Sequence, residues 1–223
     1  MSEFPDWTPS QYPGAPPTPG QVHLWIMALD SAAAYAINLP DAERQQAERF
    51  LRPADGLRFA AARGGMREIL GNYLGVSGTM IGFGYGSMGK PDLRFPRGSG
   101  LRFNLSHSGN WALLAVTRSH TIGVDLEVIR PRTNARQIAR RVFESTVYRK
   151  IKDLPESEFQ EAFFAHWTAL EARVKCLGKG VFEALDPTLK AVNFKPAVDL
   201  AAALSMAVDI PPEAEWEKFL LAT

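Results

Sequence analysis

Three short stretches of this sequence concentrate groups that could do chemistry. In GVDLE, Asp125 and Glu127 stand two residues apart, and on an extended strand such residues project to one face. Paired carboxylates repel unless a cation or basic group lies between them. A hard divalent ion such as Mg²⁺ suits them, because it favours oxygen ligands and shares them with phosphates. An isolated D-x-E is equally an ordinary solvated strand face. In WTALEARVKCLGKG, Glu171 and Lys175 are four apart and share a face if that segment is helical. Alone they would be a surface pair worth about 0.2–0.5 kcal/mol. In FNLSHS, Asn104, Ser106 and His107 gather polar groups at a strand end. Histidine with neighbouring amides can bind phosphate, although a lone histidine is more often structural. Ser106 lacks the G-x-S-x-G elbow of a hydrolase nucleophile.

The elements that must carry these residues follow from periodicity. VHLWIMAL (22–29) predicts a buried strand, and RFNLSH, WALLAVT and TIGVDLEVI predict three more, with a turn at Gly109-Asn110. A helix is expected to open at Pro40-Asp41, capped by Asp41. Another is expected over about 53–73, with Leu57, Ala61, Ile69 and Tyr73 as its apolar stripe. Arg63 and Arg67 share a face of that helix. Gly64 and Gly65 between them imply close approach of another backbone, since each glycine costs about 1 kcal/mol against alanine there. Residues 82–100, including GYGSMGKP, read as a glycine-rich loop. Helical periodicity returns over 135–143, 145–153 and 156–177, where Trp167 and Leu170 read as core, and LKAVNFK (189–195) reads as a strand. The order of helices then strands, twice, predicts an α+β fold of two similar halves. The expected units are a proline-rich arm over 1–20, which Trp7 could pin to the body, then an N-terminal half over 21–117 and a C-terminal half over 118–223.

Bulk properties remove several classes. The 223 residues carry a formal net charge of +1, which gives no chain-wide field for nucleic acid. One cysteine, Cys176, excludes an internal disulfide framework and fits a reducing cytoplasm. No apolar run approaches the ~20 residues of a membrane helix, and the N-terminus does not have the pattern of a signal peptide.

FNLSHSGNWALLAV, then IGVDLE, then WTALEARVKCLGKG, preceded by Gly89-Lys90-Pro91 and a basic helix bearing Arg63, together resemble the Sfp-type 4′-phosphopantetheinyl transferases over about residues 22–195. The resemblance implies a pseudo-twofold α+β fold with coenzyme A bound between the halves. It implies Asp125, Glu127 and Glu171 as ligands of Mg²⁺ (or Mn²⁺), and Lys175 on the pyrophosphate. It also implies His107 and Arg63 on the 3′-phosphate, with Ser106 beside them, and Gly89 and Lys90 in the adenine-side loop. Glu171 and Lys175 are the expected catalytic pair. The implied partners are apo acyl or peptidyl carrier proteins, met by a cytoplasmic monomer without nucleic acid or membrane. The family's usual helix motif has a lysine where this chain has Leu170, a position expected to border the open site. That departure leaves a non-catalytic binder of coenzyme A or carrier protein as the alternative. A different metal-dependent phosphotransfer enzyme would explain the carboxylates but not FNLSHS and GKG together.

Overall fold

The computed structural model describes all residues except 1, 2, 12, 13, 31, 87, 182, 184, 185 and 223. Pro13 of the proline-rich arm and Ser87 of the glycine-rich segment therefore lie outside the described residues. The fold is α+β, and each half pairs a 22-residue helix with a sheet.

The first sheet has the order β1-β10-β2-β6-β5. Its strands are β1 (Thr8–Ser10), β2 (His23–Ala28), β5 (Leu101–Ser108), β6 (Trp111–Arg118) and β10 (Glu217–Leu221). The second sheet has the order β7-β9-β8, from β7 (Ile122–Val128), β8 (Ala191–Phe194) and β9 (Leu200–Met206). Alternation along each strand explains the layering. On β2 and β6, Trp25, Met27, Leu114 and Val116 face helix α2 (Pro53–Leu74) and pack on its Met66, Ile69 and Leu70. The other face of the same strands, Leu24, Ile26, Leu113 and Ala115, packs on Val124, Leu126, Ala202 and Leu204 of the second sheet. One core therefore joins the two halves. Helix α5 (Glu156–Leu177) covers the second sheet from outside, with Phe159 and Phe163 fully buried near Ala201. Helices α3 (Ala135–Val142) and α4 (Ser145–Ile151) flank α5.

Several expectations need correction. Asp41 lies in the first turn of α1 (Asp41–Glu48), and the cap position is Pro40. Leu57 is 68% exposed, so α2 is not held by a stripe through it. The other stripe residues, Ala61, Ile69 and Tyr73, are buried, together with residues 60–67. A Cβ on Gly64 would press into the carbonyl of Tyr35, and one on Gly65 would meet Met27, which is the close approach those glycines allow. The glycine-rich segment folds into a hairpin of β3 (Gly82–Tyr85) and β4 (Pro91–Phe95).

The termini depart from the expected division. The C-terminal strand β10 leaves its own half and inserts between β1 and β2, parallel to both. The N-terminal arm is structured: Thr8–Ser10 pair with β10, and Phe4 and Trp7 are buried in the core between the halves. The strand-to-strand hydrogen bonds available beside β2, an edge in sequence terms, draw both termini there.

Candidate active site

Strand β5 and strand β7 meet along a seam made by side chains. Asn104 Oδ1 accepts from Val124 N (2.8 Å), Ser106 Oγ from Leu126 N (3.3 Å) and Ser108 Oγ from Val128 N (3.2 Å). Alternate residues of β5 thus satisfy alternate amides of β7, which would otherwise be buried without partners. The same alternation turns Gly123, Asp125 and Glu127 to the face of β7 that meets α5.

Gly123 sets how near the helix comes. A Cβ there would drive into Ala172 O and Cys176 N of α5, so the missing side chain lets α5 lie directly on β7. Glu171 and Lys175 flank that contact, four apart on one helical face. Lys175 Nζ reaches Asp125 Oδ1 at 2.5 Å and Ser106 Oγ at 3.0 Å. Ser106 Oγ donates to Asp125 Oδ1 (2.8 Å), and Ser108 Oγ donates to Glu127 Oε2 (2.7 Å).

The electrostatics are those of crowded carboxylates. Burial raises the pKa of Glu127; Asp125 adds to this, while the Ser108 hydrogen bond and Lys175 oppose it. Burial likewise raises Glu171, with Lys175 pulling down and Asp125 and Glu127 pushing up. Asp125 and Lys175 thus act on both glutamates, and Arg132 also acts on Glu127. Burial pushes the His107 pKa down, and the Lys175 cation adds to this, against Asp55 and Asp125.

The fit of this site to a hard cation rests on Asp125. That residue is 4% exposed, and its Oδ2 is buried without a hydrogen-bond partner. A buried, unpaired carboxylate oxygen is costly, and a cation would satisfy it. Among the described residues, no group of three His, Cys, Asp or Glu side chains is placed to hold a metal ion by itself. Mg²⁺ commonly takes one or two carboxylates and completes its shell with water and substrate phosphate, so the donor set fits.

Other expected site residues fall differently. Ser106 is 5% exposed, and its one proton and two lone pairs are all used by Asp125, Leu126 N and Lys175. In this arrangement it serves the seam and the carboxylates. Arg63 is likewise engaged within the protein. Its guanidinium is buried, ion-paired with Glu43 and bonded to Tyr85 OH. Arg67 shares the same carboxylate at 2.7 Å. No partner for Arg63 is visible in the sequence, because Glu43 lies on another helix.

Arg58, not singled out by motif, stands closer to the histidine hairpin. Its Nε donates to Asn110 Oδ1 at 2.9 Å, and Asp55, one turn before it, acts on the pKa of His107. Lys90 Nζ donates to Ile122 O (2.9 Å) and Cys176 O (3.1 Å), tying β4 to β7 and α5. It borders a cleft of about 390 Å³ between the halves, lined also by Gly86, Arg94, Arg102, Phe103 and Gly178. Gly89 has φ +75° with open space around it, a backbone that only glycine adopts easily. Leu170 turns away from Lys175 and lines a groove with Val142, Phe143, Val147, His166 and Arg173. Position 170 is rotated about 100° from 171 on the helix, and the groove it lines holds none of the three carboxylates.

Two family models match the two halves of the chain in turn. Residues 121–217 match the model of the 4′-phosphopantetheinyl transferase superfamily, and residues 25–119 match that of the 4′-phosphopantetheinyl transferase N-terminal region. The chain is 39% identical over 200 residues to the 4′-phosphopantetheinyl transferase HetI of Nostoc sp., covering 86% of this chain and 84% of that protein. It is 36% identical over 176 residues to the 4′-phosphopantetheinyl transferase AcpT of Salmonella typhimurium, covering 78% and 84%. A 4′-phosphopantetheinyl transferase of Bacillus subtilis is 31% identical over 144 residues, 65% of this chain and 62% of that protein. With its two-part fold, its crowded carboxylates and matches of this extent, the chain belongs to the 4′-phosphopantetheinyl transferase superfamily.

Proposed function

We propose that this protein transfers the 4′-phosphopantetheine group of coenzyme A to a serine hydroxyl of an apo acyl or peptidyl carrier protein, with Mg²⁺ as cofactor. The observation that carries the reading is the buried, unpartnered Asp125 Oδ2, on a carboxylate whose other oxygen meets Lys175 and whose charge acts on Glu127 and Glu171. Asp125, Glu127 and Glu171 would hold Mg²⁺, which when bound supplies charge neutralisation and orientation of a pyrophosphate.

The chain's own groups supply the rest. Lys175 is a mobile point charge, its side chain 29% exposed, that can pass from Asp125 to a phosphate oxygen of the incoming diphosphate. There it would stabilise the negative charge that develops on adenosine 3′,5′-bisphosphate as it leaves. Glu171 has its pKa raised by burial, which makes it a better proton acceptor while it remains ionised. It would take the proton from the carrier serine as that oxygen attacks phosphorus. His107 and Arg58 would hold the 3′-phosphate, and the cleft behind Lys90 and Gly89 would receive the adenine. The reaction would run in the cytoplasm on a monomer.

The test is product analysis after incubation with coenzyme A, Mg²⁺ and an apo carrier. Expected are a phosphopantetheinylated carrier and adenosine 3′,5′-bisphosphate, both abolished by EDTA and restored by Mg²⁺ or Mn²⁺. Cleavage of coenzyme A without carrier modification, or full transfer under chelation, would overturn the proposal.

A further inference from the structure

Ser106 and Ser108 are wired alike. A hydroxyl has one proton and two lone pairs. In each serine the amide two residues beyond the carboxylate's predecessor on β7 occupies a lone pair: Leu126 N for Ser106, Val128 N for Ser108. With the amide donating, the hydroxyl proton is directed onto a carboxylate: Asp125 Oδ1 at 2.8 Å and Glu127 Oε2 at 2.7 Å. The same seam bond is made by Asn104 to Val124 N, without a carboxylate beyond it. The seam therefore does two separable things. It joins β5 to β7, and at its last two rungs it fixes one oxygen of each acidic side chain. At Asp125 the consequence is visible, because Oδ2 is left buried and unpartnered.

We propose that Ser108 is a positioning residue for Glu127, holding Oε2 so that Oε1 is presented to the divalent cation. Ser106 does the same for Asp125, with Lys175 completing its bonds. The inference rests on the proposed Mg²⁺-dependent transfer. Glu127 is attached to β7 by a flexible side chain, and it would otherwise sample several rotamers. An outer hydrogen bond that fixes a ligating carboxylate commonly contributes tenfold to a hundredfold to metal affinity.

The test is Mn²⁺ titration of the full chain with coenzyme A present, followed by the electron paramagnetic resonance signal of free Mn²⁺. Ser108→Ala is expected to weaken Mn²⁺ by roughly tenfold to a hundredfold and to raise the KM for Mg²⁺ in the transfer assay. Ser108→Thr keeps the hydroxyl and is expected to recover most of the loss. In a Glu127→Ala background, Ser108→Ala is expected to add no further loss of Mn²⁺ affinity, because the group it orients is gone. If Ser108→Ala fails to fold, Ser108→Cys keeps the volume with a weaker donor, and is expected to weaken Mn²⁺ likewise. Mn²⁺ affinity within twofold of wild type in a folded variant lacking the hydroxyl would overturn the assignment. So would an equal loss in the Glu127→Ala background, which marks a purely structural seam. A wild-type chain that binds no Mn²⁺ would strike first at the proposed function, and would take the Ser108 assignment with it.

Discussion

Lys175 contacts Asp125 and Ser106 together, and its charge acts on Glu127 and Glu171. With Leu170 facing the α3–α4 groove, no neighbouring lysine replaces it. Lys175→Ala is expected to lower kcat by a hundredfold or more, as for loss of about 2.7–4 kcal/mol of preorganised charge stabilisation; single-turnover kinetics would check this. For Glu171, burial raises the native pKa above the unfolded value. Its native state therefore holds its proton more tightly, and stability falls as pH rises from the unfolded pKa through the native one. Glu171→Gln removes that penalty. It is expected to raise Tm by a few degrees at neutral pH without metal, while abolishing transfer. Arg63 and His107 separate in the same way. Arg63→Ala breaks a buried pair and leaves Glu43 facing Arg67 alone, a loss of about 3–5 kcal/mol in denaturant unfolding. His107→Ala should keep the fold and weaken coenzyme A more than its 3′-dephospho analogue in calorimetry. The carboxylates and Lys175 were legible because strand alternation and helical i,i+4 spacing fix which face they share. The partners of Arg63 and Ser106, Glu43 and the amides of β7, could not be read because they are distant in sequence.

Helix α5 lies on β7 only because Gly123 lacks a side chain. This contact sets the distance between the carboxylates on the strand and the Glu171–Lys175 pair on the helix. Gly123→Ala is expected to push the helix outward, costing about 1–3 kcal/mol of stability. It should also reduce kcat, even though the residue touches no substrate. Thermal melts and transfer kinetics on the same variant check both effects. Most elements could be read in advance. Strands β6 and β7 are dense in apolar and β-branched residues, β5 alternates Leu101, Phe103 and Leu105 with polar residues, and α2 and α5 run long enough to show their period. Strand β9, LAAALSM, could not be read that way. It is buried at every position, so it has no alternation, and its alanines suggest a helix. The β3–β4 hairpin was hidden for a different reason, since glycines in a strand look like loop.

At the scale of the molecule the two halves are not independent lobes. They share a core that runs from Leu24 and Ile26 to Leu126 and Leu204, with Phe4 and Trp7 inserted. The C-terminal strand returns to the first sheet. That return was beyond local reading, because strand order is set by where edges are left unpaired, not by the pattern of any one segment. Since the site lies on the seam between β5 and β7, the shared core holds its two sides in register. The account's central claim is that this seam moves phosphopantetheine from coenzyme A to a carrier serine. The most direct measurement is the intact mass of an apo carrier incubated with coenzyme A, Mg²⁺ and either the wild-type chain or Asp125→Ala. The account predicts one added phosphopantetheine per carrier with the wild type, and none with Asp125→Ala or with EDTA. An unmodified carrier with the folded wild-type chain across acyl and peptidyl carriers, or equal modification by Asp125→Ala, would contradict it.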